Sequence, residues 1–153
     1  MVFSCVGTPD NPDGSSNLSY VFSAAKEAAS LAKPGTIYVQ KSTVPVGTGR
    51  QIEALFSELG AKLEYVSNPE FLREGTALSD TLFFDRVVVG GDNKAAVNAV
   101  MDIYMDLEQY RDHIAHIAGI PTSTRGDKYI ATTLNSAELI KVGYGHIASR
   151  QVG

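Results

Sequence analysis

Apolar residues in this chain follow two alternating rhythms. Short runs that are almost entirely hydrophobic or β-branched, namely Val2 to Val6, Thr36 to Gln40, Lys62 to Val66 and Arg86 to Gly90, are separated by stretches in which apolar residues recur every three or four positions. The runs predict buried strands and the stretches predict amphipathic helices. Asn17 is the expected N-cap of a first helix whose stripe is Leu18, Val21, Phe22, Ala25, Ala28, Ala29 and Ala32, stopped by Pro34-Gly35. Ile52, Leu55, Phe56 and Leu59 mark a second, with Gly60 just past its end. Ala95 to Leu107 predicts a third, with Ala96, Val97, Val100, Ile103, Tyr104 and Leu107 facing inward. The polar DNPDGSSN reads as a loop, and the segment from Glu108 to Asp127 as an irregular excursion before a last strand in YIATT.

Strands joined through crossover helices run parallel, and near-continuous apolar strands such as RVVVG suit a sheet covered on both faces. The predicted fold class is therefore α/β, a doubly wound, Rossmann-like parallel sheet. In such sheets ligands gather at the carboxyl ends of the strands. Three loops follow predicted strands: VGTP at 6 to 9, KSTVPVGT at 41 to 48, and NPEFLREG at 68 to 75. Each has two readings. Gly7 and Thr8 suit close approach to a phosphate or ribose, or a tight turn in which Thr8 bonds its own backbone. Gly47-Thr48 opens a helix whose free N–H groups suit an anion, unless Ser42, Thr43 or Thr48 caps it. In NPEFLREG, Glu70 and Glu74 lie four apart beside Arg73, either as working groups or as a solvated helix start with a surface ion pair.

Composition narrows the field. With 153 residues, 44% hydrophobic and 20% charged, the chain can bury one substantial core. A net charge of −4 without a basic run argues against nucleic acid as a partner. No apolar stretch approaches the ~20 residues that span a bilayer, and Met1 to Val6 lacks signal-peptide features, so the expectation is a cytoplasmic protein with no membrane partner. Cys5 is the single cysteine; in an apolar strand it is expected to act as a small hydrophobe. His113 and His116 beside Asp112 fall short of a metal-ligand set, so no metal is expected.

Taken in order, VGTP, KSTVPVGT, SNPEFLREGTAL, FFDRVVVGG and SAELIK resemble the nucleotide-sugar 6-dehydrogenases, whose members act on UDP-glucose or GDP-mannose, and the resemblance runs from about Phe3 to Lys141. FLREGTALSD looks most like the UDP-glucose branch. The resemblance implies NAD as cofactor, UDP-glucose or a related sugar nucleotide as partner, and oxidation of the sugar C6 alcohol through aldehyde and thioester stages to the acid. It implies that Gly7, Thr8, Thr43 and Glu74 contact NAD, Thr43 near the nicotinamide and a catalytic water. Glu70 looks like the family's general base, in a setting where burial raises its proton affinity. Phe71, Leu72 and Arg73 look like the stretch that lies along the sugar nucleotide, and Lys141 like the cation that stabilises oxyanion charge at C6. Family members are commonly oligomers, so a homo-oligomer is expected.

The chain also departs from that pattern. No GxGxxG loop precedes VGTP, and the family's catalytic cysteine falls in a motif beyond Lys141 that this sequence does not contain; Cys5 does not match it. Residues 1–133 are expected to form the C-terminal part of an NAD-binding domain and residues 134–153 the start of a central helix, atypical after Val142. There Gly145 stands where the family has an active-site asparagine, as if the frame or gene end were altered, and Gly143 and Gly145 each weaken a helix by ~1 kcal/mol. The favoured reading is a catalytically incomplete piece of such an enzyme. The alternatives are a neighbouring NAD(P)-dependent dehydrogenase and a non-catalytic module that associates through an unpaired strand edge.

Overall fold

Each apolar run becomes a strand and each helical stripe a helix. The structure, a computed structural model, describes residues 1–72, 75–122 and 128–150, and of residues 144–150 the backbone alone. In chain order the elements are β1 (Val2–Ser4), α1 (Ser19–Leu31), β2 (Ile37–Gln40), α2 (Thr48–Glu58), β3 (Glu64–Ser67), α3 (Ala77–Leu82), β4 (Val87–Gly90), α4 (Lys94–Ile117), β5 (Tyr129–Thr132) and α5 (Leu134–Arg150). The strands form one sheet in the order β1-β2-β3-β4-β5. Among the described residues no helix is long and apolar enough to cross a membrane.

The sheet is mostly parallel, which corrects the all-parallel expectation. β1 with β2, β2 with β3, and β4 with β5 run parallel, whereas β3 and β4 are antiparallel and meet at Ser67 and Gly90. The reason lies in the connection. Between β3 and β4 the only described helix is α3, with 6 residues, a rod of about 9 Å. That is too short to carry the chain across a sheet face and back to the opposite end. β4 instead returns alongside the Asn-Pro-Glu segment that follows β3, and the Asn68 side-chain amide donates to the Val88 carbonyl at 2.8 Å.

Alternation along the strands sorts the core into two layers. Tyr38 and Tyr65 face α1 and α2, where they pack with Val21, Ala25, Ile52, Phe56 and, from α5, Leu134. The Tyr38 ring meets Phe56 edge-on at 5.4 Å and stacks on Tyr65 at 6.1 Å. Val39, Val66, Val87 and Val89 face α4, packing with Ala96, Val97, Val100 and Met101. Gly90 is where α5 closes on the sheet: a Cβ there would come within 2.5 Å of both the Ala137 Cβ and the Thr133 carbonyl.

α4 corrects a second expectation. Its 24 residues run ten past Leu107 into the segment read as irregular. The stripe continues because Leu82 and Phe83 pack against Ala115, with Leu107 and Ile114 beside them. Asn93 starts it, its side-chain oxygen accepting from the Ala95 and Ala96 amides at 2.9 and 3.3 Å. Ile103, expected inside, is exposed, as are His113 and His116. In α5 the glycine at 143 does not end the helix, which is held at its start by fully buried Leu134 and Ala137.

Candidate functional site

The loops after β1, β2 and β3 converge on one crevice. Gly7 and Thr8 from the first, Lys41, Ser42 and Thr43 from the second, and Glu70 from the third line a cavity of about 210 Å³. Ser42 ties two of these loops together by donating from Oγ to the Val6 carbonyl at 2.6 Å. The Thr8 and Thr43 hydroxyls form no hydrogen bond among the described residues, and Gly7 has open space where a Cβ would stand. This donor set, two uncommitted hydroxyls beside an unencumbered backbone, fits the ribose and phosphate chemistry of a dinucleotide.

A second crevice of about 210 Å³ lies on the other side of Lys41 and is lined by Asn68, Pro69, Glu70, Phe71, Leu72, Arg86 and Tyr104. Lys141, two turns along α5 from Leu134, meets two of its lining residues, Glu70 and Phe71. Its Nζ donates to the Glu70 carbonyl at 2.5 Å and lies 5.1 Å from the centre of the Phe71 ring, with the Arg86 guanidinium 5.8 Å from the same ring. Burial pushes the Lys141 ammonium below the usual lysine range; Glu70 opposes this and Lys41 adds to it.

Of the residues marked in the sequence, Gly7, Thr8, Thr43 and Glu70 therefore share one crevice, Phe71 and Leu72 line the adjoining one with Glu70, and Lys141 contacts Glu70 and Phe71. Arg73 and Glu74 lie outside the described residues. Two expectations need correction. Glu70 is exposed, because it sits at the crevice mouth where the loop leaves buried Pro69. Cys5 lies just past the end of β1 and is exposed on the crevice rim instead of packed within a strand.

Glu138 is a residue that sequence reasoning missed. It is 2% exposed, and its carboxylate accepts from the Gly47 amide at 2.7 Å and the Gly49 amide at 2.8 Å. The N-terminus of α2, read as an anion site or as capped by a nearby hydroxyl, is filled by this carboxylate from α5. Thr48 instead donates to the Pro45 carbonyl at 2.7 Å. Burial raises the Glu138 pKa against the two amide bonds that lower it. The signal was present in SAELIK, since Leu134, Ala137, Glu138 and Lys141 fall on one face of a helix, placing a carboxylate on the apolar stripe.

The sheet, the strand-end crevice and its uncommitted hydroxyls define a dinucleotide-binding architecture. Residues 1–108 match the model of the UDP-glucose/GDP-mannose dehydrogenase family, NAD binding domain, and the chain belongs to that family. It is 37% identical over 142 residues to the UDP-glucose 6-dehydrogenase of Rickettsia bellii, covering 93% of this chain and 29% of that protein. With the UDP-glucose 6-dehydrogenase of Rhizobium meliloti it shares 45% identity over 112 residues, 70% of this chain and 26% of that protein. Among solved structures, a ternary complex of GDP-mannose dehydrogenase from Pseudomonas aeruginosa superposes with a TM-score of 0.80 at 26% identity over 98% of this chain and 32% of that one. A UDP-glucose dehydrogenase from Pyrobaculum islandicum gives 0.74 at 32% identity, covering 93% of this chain and 30% of that one. The chain thus spans under a third of the length of these relatives.

Proposed function

We propose that this chain builds part of the NAD site and part of the sugar-nucleotide site of a UDP-glucose 6-dehydrogenase. Residues 1–133 are the C-terminal part of the NAD-binding domain, and residues 134–153 begin the central helix. The observation that carries the reading is the meeting of Lys141 with the Glu70 carbonyl next to the crevice that holds Gly7, Thr8 and Thr43. Bound NAD would supply the hydride acceptor. Thr8 and Thr43 would offer hydroxyls to it, and Gly7 would let its backbone approach. Glu70, exposed at the mouth, is placed to take the proton released from the C6 hydroxyl, directly or through a water. The Lys141 ammonium faces the same point and offsets the negative charge that develops on that oxygen, a contribution worth roughly 10²–10³ in rate for a well-placed donor in a complete site. Phe71 and Leu72 would lie along the sugar nucleotide; in this reading Arg73 belongs to the same stretch and Glu74 to the NAD side, both outside the described residues.

The thioester stage needs a thiol beside Lys141. The 153 residues hold Cys5 alone, on the β1 side of the crevice. The expected behaviour is binding without turnover. Calorimetry with NAD and with UDP-glucose, alongside NADH absorbance on the same sample, tests this. Weak binding of both and no NADH supports the reading; binding of neither refutes it, and steady NADH formation refutes the incompleteness of the site. Tighter binding of GDP-mannose or UDP-N-acetylmannosamine than of UDP-glucose would reassign the sugar.

A further inference from the structure

Lys41 stands in the wall between the two crevices and lines both. Its ammonium has three donors, and two are committed: to the Tyr104 hydroxyl at 3.0 Å and to Asn68 Oδ1 at 3.3 Å. The Tyr104 hydroxyl donates in turn to the same Oδ1 at 2.6 Å, and the Asn68 amide donates to the Val88 carbonyl. Asn68 is 1% exposed, so it joins the end of β2, α4 and β4 at a point that water does not reach. Buried Pro69, with its fixed φ, follows, and then Glu70, whose carbonyl receives Lys141. A continuous path of short contacts therefore runs from Lys41 through Asn68 and Pro69 to Lys141.

The charges along this path have a definite order. Lys41 comes from the end of β2, Glu70 from the loop after β3, and Lys141 from α5. Arg86, preceding β4, contacts the same Phe71 ring as Lys141. Tyr104 on α4 is held to Lys41, and Glu138, one turn before Lys141, is turned to α2. We propose that Lys41 is a positioning residue of the dehydrogenase site, holding the Asn68–Glu70 segment against Lys141 and presenting a second positive charge across Glu70 from it. Its catalytic meaning rests on the functional reading above; the coupling of the two lysines is tested without it. The consequence is an ammonium at position 141 that gives up a proton more readily. As negative charge grows on the C6 oxygen, Lys141 can tighten its hydrogen bond to that oxygen at less cost. The low proton affinity of Lys141, to which Lys41 contributes after burial, agrees with this placement.

The test is the titration of Lys141 in the whole chain, read by NMR of ¹³C-labelled lysine ε-carbons and assigned with Lys141→Arg. Lys41→Gln keeps a donor for Asn68 and removes the charge; the Lys141 midpoint should shift upward. Lys41→Arg keeps the charge and should leave the midpoint near that of the unaltered chain. A folded Lys41→Gln protein with an unmoved midpoint overturns the proposal, as does Lys41→Arg moving it as far as Lys41→Gln. Should Lys41→Gln not fold, Lys41→Met, which keeps the aliphatic stem and removes the charge, takes its place, and an unmoved Lys141 midpoint in it overturns the proposal equally. None of these readings uses a nucleotide, so calorimetry that fails to detect NAD or UDP-glucose would sink the functional reading and leave the titration to decide the lysine pair.

Discussion

Glu138 concentrates much of the site's rigidity in one side chain. Its two acceptor oxygens take two orphan amides at the start of α2, 91 and 89 positions earlier in the chain, and one helical turn later the same face carries Lys141. The loop with Thr43 and the helix with Lys141 are thereby fixed to each other. Glu138→Ala leaves the buried Gly49 N–H and the half-buried Gly47 N–H without their partner and should lower unfolding stability by about 2–3 kcal/mol, measured by urea denaturation. A further consequence concerns pH. Burial raises the folded-state pKa of Glu138 above the ordinary glutamate value of 4.5, so the folded state holds this proton more tightly than the unfolded chain does. For a raised carboxyl the contribution is most favourable below 4.5 and declines as pH rises through the window between that value and the folded pKa. The stability difference between the unaltered chain and Glu138→Gln should accordingly move in favour of the unaltered chain on acidification from neutral pH. A difference that is flat with pH would contradict the burial of a charged carboxylate here. Glu138 and Asn68 escaped sequence reading for the same physical reason: each works through partners that are distant in sequence. Thr8, Thr43 and Glu70 could be gathered from the sequence because each follows a predicted strand end, whereas Lys141, on α5, rested on the resemblance of SAELIK alone.

At the scale of elements, what could be read was set by length. Runs of apolar residues bounded by glycine and proline gave β1, β2 and β4 nearly in place, and the second stripe gave α2 with Gly60 at φ +66 just beyond its end. The direction of β4 was not legible. It depends on whether the link from β3 is long enough to cross a face, and α3 has only 6 residues. The true end of α4 was hidden as well, since its last turns are held by Leu82 and Phe83 of the α3 region. Antiparallel return of β4 brings Gly90 under the start of α5, where the backbone of Thr133 leaves no room for a side chain. Gly90→Ala should therefore push α5 away from the sheet. The expected cost is about 2–3 kcal/mol of stability, with a shift of the Lys141 ε-carbon resonance as its helix moves. Retention of both the melting midpoint and that resonance would mean that α5 is not seated on β4 as described.

At the scale of the molecule, the sheet ends in an edge that its own residues leave open. β1 pairs with β2 on one side, and no described strand pairs with its other side. Beside that edge Val2, Val6, Ala28, Leu31 and Tyr38 line a groove of about 400 Å³, and Met1, Phe3 and Leu31 are exposed at 48%, 44% and 78%. An open edge presents a row of unpaired amides and carbonyls, and apolar side chains next to it favour covering that row with another strand. Net charge is only −4, too little to keep copies apart at physiological ionic strength, where charges act over about 8 Å. The chain on its own should therefore associate as its concentration rises, as the open edge in the sequence reading anticipated. Phe3→Lys places a charge in the middle of β1, pointing away from the α1 and α2 layer, and leaves both buried layers intact. Sedimentation velocity over a hundredfold concentration range should show the weight-average coefficient rising for the unaltered chain and staying low for Phe3→Lys. An unaltered chain that remains monomeric throughout would mean that the β1 edge is protected by its own twist and shortness. Equal association of the two proteins would place the contact elsewhere, and the exposed apolar residues of α4, Ile103, Met105 and Tyr110, would be the next surface to charge.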